Sequence, residues 1–186
     1  LDSRVEFAME FFSDGNVVTF AGYSLFKSFK GSYTGNVLAS DGDIEESLSR
    51  LLPLELLTGL KECLPEIMRS ILAGCGYKGY FGIDMMVYSH NGELCLNPCM
   101  ELNLRMNMGM ATRIFFDRHV APECTGEYRV SFFKKAGEAF SVHKADMEAS
   151  PLKTENGRIV SGYLNLSPVT PESRYSVSVI VKKKEN

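Results

Sequence analysis

The stretch GYKGYFGIDMMVYSHNGELCLNPCMELNLRMNMG, residues 76–109, decides the fold. YFGIDMMVY reads as a strand, His90-Asn91-Gly92 as a hairpin turn and ELCLN as the returning partner. The chain then runs on into Glu101-Leu102-Asn103-Leu104-Arg105, where polar residues alternate with leucines. Side chains on a strand alternate with period two. Glu101, Asn103 and Arg105 are therefore expected on one face, with Leu102 and Leu104 turned into the core. In the preceding strand Asp84 and Met86 share a face, and Ile83 and Met85 share the other. With the two strands as neighbours, Asp84 and Glu101 converge and Asn103 lies beside them.

Two carboxylates and one amide oxygen suit Mg²⁺, a hard ion that takes oxygen ligands and commonly sits between a few protein oxygens and substrate phosphates. Asn103 supplies oxygen without adding a further negative charge. Arg105 cannot bind a metal, but its paired N–H donors match a phosphate or a carboxylate. Taken singly, each residue has an ordinary reading: Asp84 as a solvated strand end, Glu101 and Arg105 as a surface ion pair of little worth. Taken together, in this order, they favour metal and phosphate chemistry.

Working outward, RVEFAMEFF (4–12) alternates Val5, Phe7, Met9 and Phe11 against Arg4, Glu6, Ala8 and Glu10, a half-buried strand. Ser13-Asp14-Gly15-Asn16 is turn chemistry, and a second strand follows over 16–26. Residues 27–43, with three glycines and no clear periodicity, read as a loop. Asp41 or Asp43 is placed to cap a helix from Ile44 to about Leu51. A longer helix runs from Leu54 to Ala73, stopped by Gly74 and Gly76. MNMGMATRIFFDRHV reads as a helix ended by Pro122. Beyond Cys124, EYRVSFFKK, EAFSVHKAD, GRIVSGYLNLS and RYSVSVIVKKK read as strands. The fold class is α+β: a mostly antiparallel sheet with helices over 1–119, then a β-rich C-terminal extension over 120–186.

Composition narrows the function. A net charge of −3 gives the whole chain no electrostatic attraction for nucleic acid, and no apolar run has the length of a membrane helix. The five cysteines fit neither a zinc cluster nor a disulfide framework, so they are expected as reduced thiols, mostly in the core, of a cytoplasmic protein. The histidines at 90, 119 and 143 are scattered, and nothing brings a Ser/His/Asp or Cys/His arrangement together. The chain opens at Leu1, almost at once in strand-like sequence, the pattern expected of a portion of something longer.

On these residues the stretch 76–109 resembles the second half of an ATP-grasp domain. That superfamily binds Mg-ATP between two α+β lobes and joins a carboxylate to an amine or similar nucleophile through an acyl phosphate. Its closing signature is an acidic strand, a hairpin and then E-x-N, often with arginine two residues on. Asp84, Glu101, Asn103 and Arg105 match those positions. RVEFAMEFFSDGNVVTFAG is similar to the strand pair after the adenine-binding hinge, so the match covers roughly residues 4–115. The spacing between Asp84 and Glu101 is long, and a bulge near Asn97-Pro98-Cys99 must restore the register.

The resemblance implies ATP and Mg²⁺, or Mn²⁺, as cofactors, held by Asp84, Glu101 and Asn103, with Arg105 at the phosphoryl or acyl group. It implies Met86 and Met100 beneath the adenine, with ordinary core as the alternative. It also implies Lys27 and Lys30 near the phosphates, with a solvated loop as theirs. Gly31, Tyr33 and Gly35 look like a shaped turn able to cover the site. Arg4, leading the first strand, is a further candidate for the nucleotide. The glycine-rich loop, phosphate-binding lysines and adenine hinge of the earlier lobe are absent, so the expected partners are a missing N-terminal lobe of the same polypeptide and small carboxylate and amine substrates. Strands 120–186 are candidates for packing on that lobe, shaping the pocket or forming a homodimer. Three functions follow: a carboxylate–amine ligase, a nucleotide-binding or sensing relative without turnover, and a β-rich interaction module.

Overall fold

A computed structural model describes residues 2–29 and 32–184, excluding the side chains of Asp2 and Phe29. Two compact units form: the chain to Phe26 with Asp41–Arg113, and Lys27–Ser40 with the chain from Ile114 onward. The second unit thus takes in a segment ahead of residue 119 as well as everything after it.

In the first unit the strands β1 (Asp2–Ser13), β2 (Val18–Phe29, to Phe26 in this unit), β4 (Gly79–His90) and β5 (Glu93–Asn103) lie in the order β5-β4-β1-β2, all antiparallel. The odd positions of β1 explain the core. Phe7, Met9 and Phe11 are fully buried beside Phe81, Ile83 and Met85 of β4. Phe11 stacks on Phe81 and meets Phe20 edge-on, with centroids 5.4 and 5.9 Å apart. Helices α1 (Asp41–Ser49) and α2 (Leu54–Leu72) add Ile44, Leu48, Leu57, Met68 and Leu72 to the buried set. Each such side chain contributes about 1.5–3 kcal/mol through burial. The β4–β5 turn has Asn91 at φ 54° and Gly92 at φ 84°, the left-handed pair that a two-residue hairpin requires.

In the second unit β3 (Ser32–Leu38), β6 (Cys124–Phe132), β7 (Lys153–Glu155), β8 (Arg158–Asn165) and β9 (Tyr175–Lys183) lie in the order β3-β6-β9-β8-β7. Leu38, Cys124, Val179 and Val181 are buried in it. Helix α3 (Met108–His119) is shared between the units, and α4 (Glu138–Ala149) lies against β8.

Three elements depart from the sequence reading. The loop expected over 27–43 contains β3, whose weak periodicity reflects Gly35, a position where a Cβ would overlap the Tyr128 carbonyl of the neighbouring strand. EAFSVHKAD is helical, not extended. Phe140 and Val142 imitate alternation over a short window, but Glu138, Ala139, Lys144, Ala145, Met147, Glu148 and Ala149 are strong helix formers, and Gly137 at φ 82° opens the helix. Leu102 and Leu104 are 37% and 40% exposed rather than core, because β5 is the outer strand of its unit and Leu104 lies past its end. All five cysteines are free, yet only Cys124 is buried.

Candidate functional site

The even positions of β1 and β4 face away from the Phe7–Met9–Phe11 core, and the register aligns them in rows. Ala8, Asp84 and Glu101 lie directly across from one another, and the next row is Gly22, Glu10, Gly82 and Asn103. Between Asp84↔Glu101 and Met86↔Asn97, β5 spends Pro98, Cys99 and Met100 against the single residue Met85. The bulge expected near Asn97-Pro98-Cys99 is therefore present, and it returns Glu101 to Asp84.

Like charges directly opposite on neighbouring strands repel. Burial, and next the charge of Glu101, raise the Asp84 carboxyl to about 6. A chain of hydrogen bonds opposes this. Asn103 Nδ2 donates to Asp84 Oδ2 at 3.2 Å, and Arg105 Nη2 donates to Asn103 Oδ1 at 3.1 Å. Arg105 does not continue the strand: β5 ends at Asn103, and the Arg105 amide turns back onto the Asn103 carbonyl at 2.8 Å. That turn, not strand parity, brings the guanidinium over Asn103.

A second carboxylate lies deeper. Glu10 is 1% exposed, flanked in register by Gly22 and Gly82. Asn107 Nδ2 donates to its Oε2 at 2.8 Å, while Asn107 Oδ1 accepts the Met110 amide at 2.8 Å and so caps α3. Glu10 Oε1 is buried with no hydrogen-bond partner. Burial pushes this carboxyl up to about 8, the Asn107 hydrogen bond draws it back and the Asp84 charge adds to the rise. Glycine at 82 and 109 is required here, since a Cβ at either would overlap the Glu10 carboxyl.

These residues fit a divalent cation. Asp84 and Glu101 carry a repulsion that a cation would relieve, and Asn103 offers a neutral oxygen that Arg105 now occupies. No group of three or more His, Cys, Asp or Glu able to hold a metal forms among the described residues. A short protein donor set is what Mg²⁺ uses when waters and substrate phosphates complete its shell.

The remaining candidates separate. Met86 is buried on the Asp84 face, across from Glu6 and Asn97. Met100 stands in the bulge, 52% exposed, with Asn97 Nδ2 3.0 Å from its sulfur. Arg4 is the extra residue of a β1 bulge between Ser3 and Val5, and is exposed. Lys27 belongs to the second unit, where it pairs with Glu127 at 2.6 Å. Lys30 and Gly31 lie outside the described residues. Gly35 sits inside β3 opposite Arg129, so it is not part of a covering turn. Asp41 accepts the Tyr23 amide at 2.8 Å and faces Arg113 at 3.5 Å.

The sequence reading missed Glu10 and Asn107. The alternation of Glu6, Ala8 and Glu10 marks their shared face, but only the packing of the start of α3, with Asn107 and Gly109 against Glu10, covers this face there.

No family model matches the chain, and no curated protein matches it in sequence. Solved structures do match. The phosphoribosylaminoimidazole carboxylase ATPase subunit from Aquifex aeolicus aligns over 98% of this chain and 55% of its own, at 11% identity and TM-score 0.50. N5-carboxyaminoimidazole synthetase from Staphylococcus aureus aligns over 100% of this chain and 47% of its own, at 13% identity and TM-score 0.50. At these identities the likeness is one of fold: this chain has the mostly antiparallel α+β fold of the matched part of these structures, the fold expected of an ATP-grasp lobe. The chain spans about half the length of the structures it matches.

Proposed function

We propose that this chain is the C-terminal portion of a Mg²⁺-requiring, ATP-dependent ligase that joins a carboxylate to an amine or similar nucleophile through an acyl phosphate. The observation that carries the reading is the Asp84–Glu101 cross-strand pair, hydrogen-bonded through Asn103 to Arg105. Asp84, Glu101 and Asn103 would hold Mg²⁺, or Mn²⁺ in its place. That ion supplies charge neutralisation for the terminal phosphates of ATP.

The chain's own residues supply the rest. Asn103 holds Asp84 in position through its amide, and its oxygen, which accepts one hydrogen bond from Arg105, keeps a second lone pair for a cation. The Arg105 guanidinium has further N–H donors for the transferred phosphoryl group or the substrate carboxylate. Glu10 fixes the far end of this segment: with Asn107 it anchors the start of α3, four residues beyond Asn103. Met86, beside the acidic row, is the better placed of the two methionines to lie under a base, while Lys30 remains a candidate for the phosphates. No helix among the described residues is long and apolar enough to cross a membrane, and the proposed setting is the cytoplasm.

The test is ADP production by the full-length protein with Mg-ATP and a panel of amino and carboxylic acids. Substrate-dependent release that disappears in Glu101→Gln supports the ligase. Full activity in that variant sinks the metal assignment. Tight Mg-ATP binding without turnover across the panel replaces the ligase with a nucleotide-binding or sensing protein.

A further inference from the structure

The second unit holds a cavity of about 620 Å³ formed by its own strands, within the range of small-molecule sites, about 300–1,000 Å³. Its floor is apolar, with Val37 of β3 and Ile180 of β9. Both lie across from Glu127 of β6, which sits centrally between them. One wall is the connection from α4 to β7. It crosses close over β8 because Gly162, at φ 104°, has no side chain: a Cβ there would overlap the Pro151 carbonyl. The Tyr163 amide, donating to the Ser150 carbonyl at 2.8 Å, ties this wall down.

Four cations line the space: Lys27, Arg129, Lys153 and Lys182. They come from four different strands and face a single carboxylate, Glu127. Glu127 bridges Lys27 at 2.6 Å and Arg129 at 2.8 Å, and these hydrogen bonds, Lys27's first, hold it below the usual carboxylate range. An ordinary solvated sheet face mixes the two signs. Here one concavity gathers four positive groups against one negative group, in a chain whose net charge is −3. Lys27 and Arg129 are held in place by Glu127, so part of the cationic lining is ordered before an anion enters.

We propose that this cavity is a binding site for a small, multiply charged anion, a phosphomonoester or a polycarboxylate, with its carbon frame over Val37 and Ile180. The site lies wholly within the second unit and does not depend on the Asp84–Glu101 pair. A single charge would be met by Lys153 or Lys182 alone. The spread of cations over four strands matches a ligand with at least two negative groups or one dianion. Glu127 then acts as a spacer, keeping Lys27 and Arg129 apart and aligned until the ligand draws on them.

The experiment is calorimetric titration of the protein at low ionic strength with phenyl phosphate, citrate and inorganic phosphate, with amide chemical shifts followed in parallel. Saturable binding of phenyl phosphate or citrate is expected, tighter than that of inorganic phosphate, with shifts at Gly126, Glu127 and Gly162. Phenyl phosphate as the tighter probe identifies a phosphomonoester site, and citrate a polycarboxylate site. Lys153→Gln and Lys182→Gln should each weaken binding roughly tenfold, the order for one charge-assisted contact. Lys183→Gln, adjacent in sequence but on the opposite face of β9, should leave it unchanged. Two results overturn the proposal: no saturable binding of either organic anion, or equal losses in Lys182→Gln and Lys183→Gln, which would reveal only diffuse attraction to a basic surface. Glu101→Gln serves as a control, since binding here survives it whether or not the ligase reading holds.

Discussion

Replacing Glu10 by glutamine tests the physical core of the site. The Glu10 carboxyl is 1% exposed, has one oxygen without a partner, and is raised from 4.5 to about 8. Between those two values the folded protein keeps a proton that the unfolded chain has released. The native state binds more protons there, so stability falls as pH rises from 4.5 to 8 and stays low above it. At about 1.36 kcal/mol per unit, the full cost approaches about 5 kcal/mol, an upper value because relaxation around an ionised Glu10 lowers it. Glutamine is nearly isosteric and has no proton to lose, and its oxygen can keep the Asn107 hydrogen bond. Urea unfolding at pH 5, 6.5 and 8, followed by circular dichroism and by the tyrosine fluorescence of a chain without tryptophan, should show the two proteins nearly equal at pH 5. At pH 8 the variant should be more stable by several kcal/mol. Asp84 titrates in both proteins and largely cancels. Stability curves that stay parallel from pH 5 to pH 8 would refute a buried, protonated Glu10.

Asp84→Asn should abolish ADP release by the full-length protein while stabilising the fold above pH 6, because it removes the cost of burying an ionised carboxylate and, next, the repulsion from Glu101. The gain should be about 1–2 kcal/mol after discounting for partial exposure, read from the same urea curves. Gly109→Ala drives a methyl group into Glu10 Oε1 and Ser24 Oγ, and should cost about 1–3 kcal/mol of stability by overpacking. Phe11→Ala empties the centre of the Phe20–Phe81 cluster and should cost about 3–5 kcal/mol. An unchanged thermal midpoint in that variant would mean that the odd face of β1 is not the core.

The first unit was legible in sequence because its signals are local and agree with one another. Strict alternation in β1, the Asn91-Gly92 turn and the long apolar stripe of α2 each admit one structure. The row of Asp84 and Glu101 followed from period two, together with a bulge that the surplus length before Glu101 demanded. What sequence could not show depends on what packs against each face of the sheet. Glu10 and Glu6 have the same spacing from their neighbours, yet Glu10 is sealed beneath the start of α3 while Glu6 is half-buried. The burial of the leucines in E-L-N-L-R failed because Leu102 is on an outer strand, whose second face stays open, and Leu104 is in the turn after it. α4 was misread because four residues of alternation outweighed the helix propensity of the full segment. The cations around the cavity, on β2, β6, β7 and β9, are far apart in sequence, and only the pairing of the strands brings them together.

Asp84 and Glu101 are proposed to hold a divalent cation together with a nucleotide. The most direct measurement is Mn²⁺ binding to the full-length protein by electron paramagnetic resonance, with and without ADP, in the unmodified protein and in Glu101→Gln. The expected result is ADP-dependent loss of the free Mn²⁺ signal in the unmodified protein, weakened at least about tenfold in the variant, the scale of one lost charged ligand. Equal ADP-dependent binding in the two proteins would contradict the claim and remove the carboxylate pair from the site.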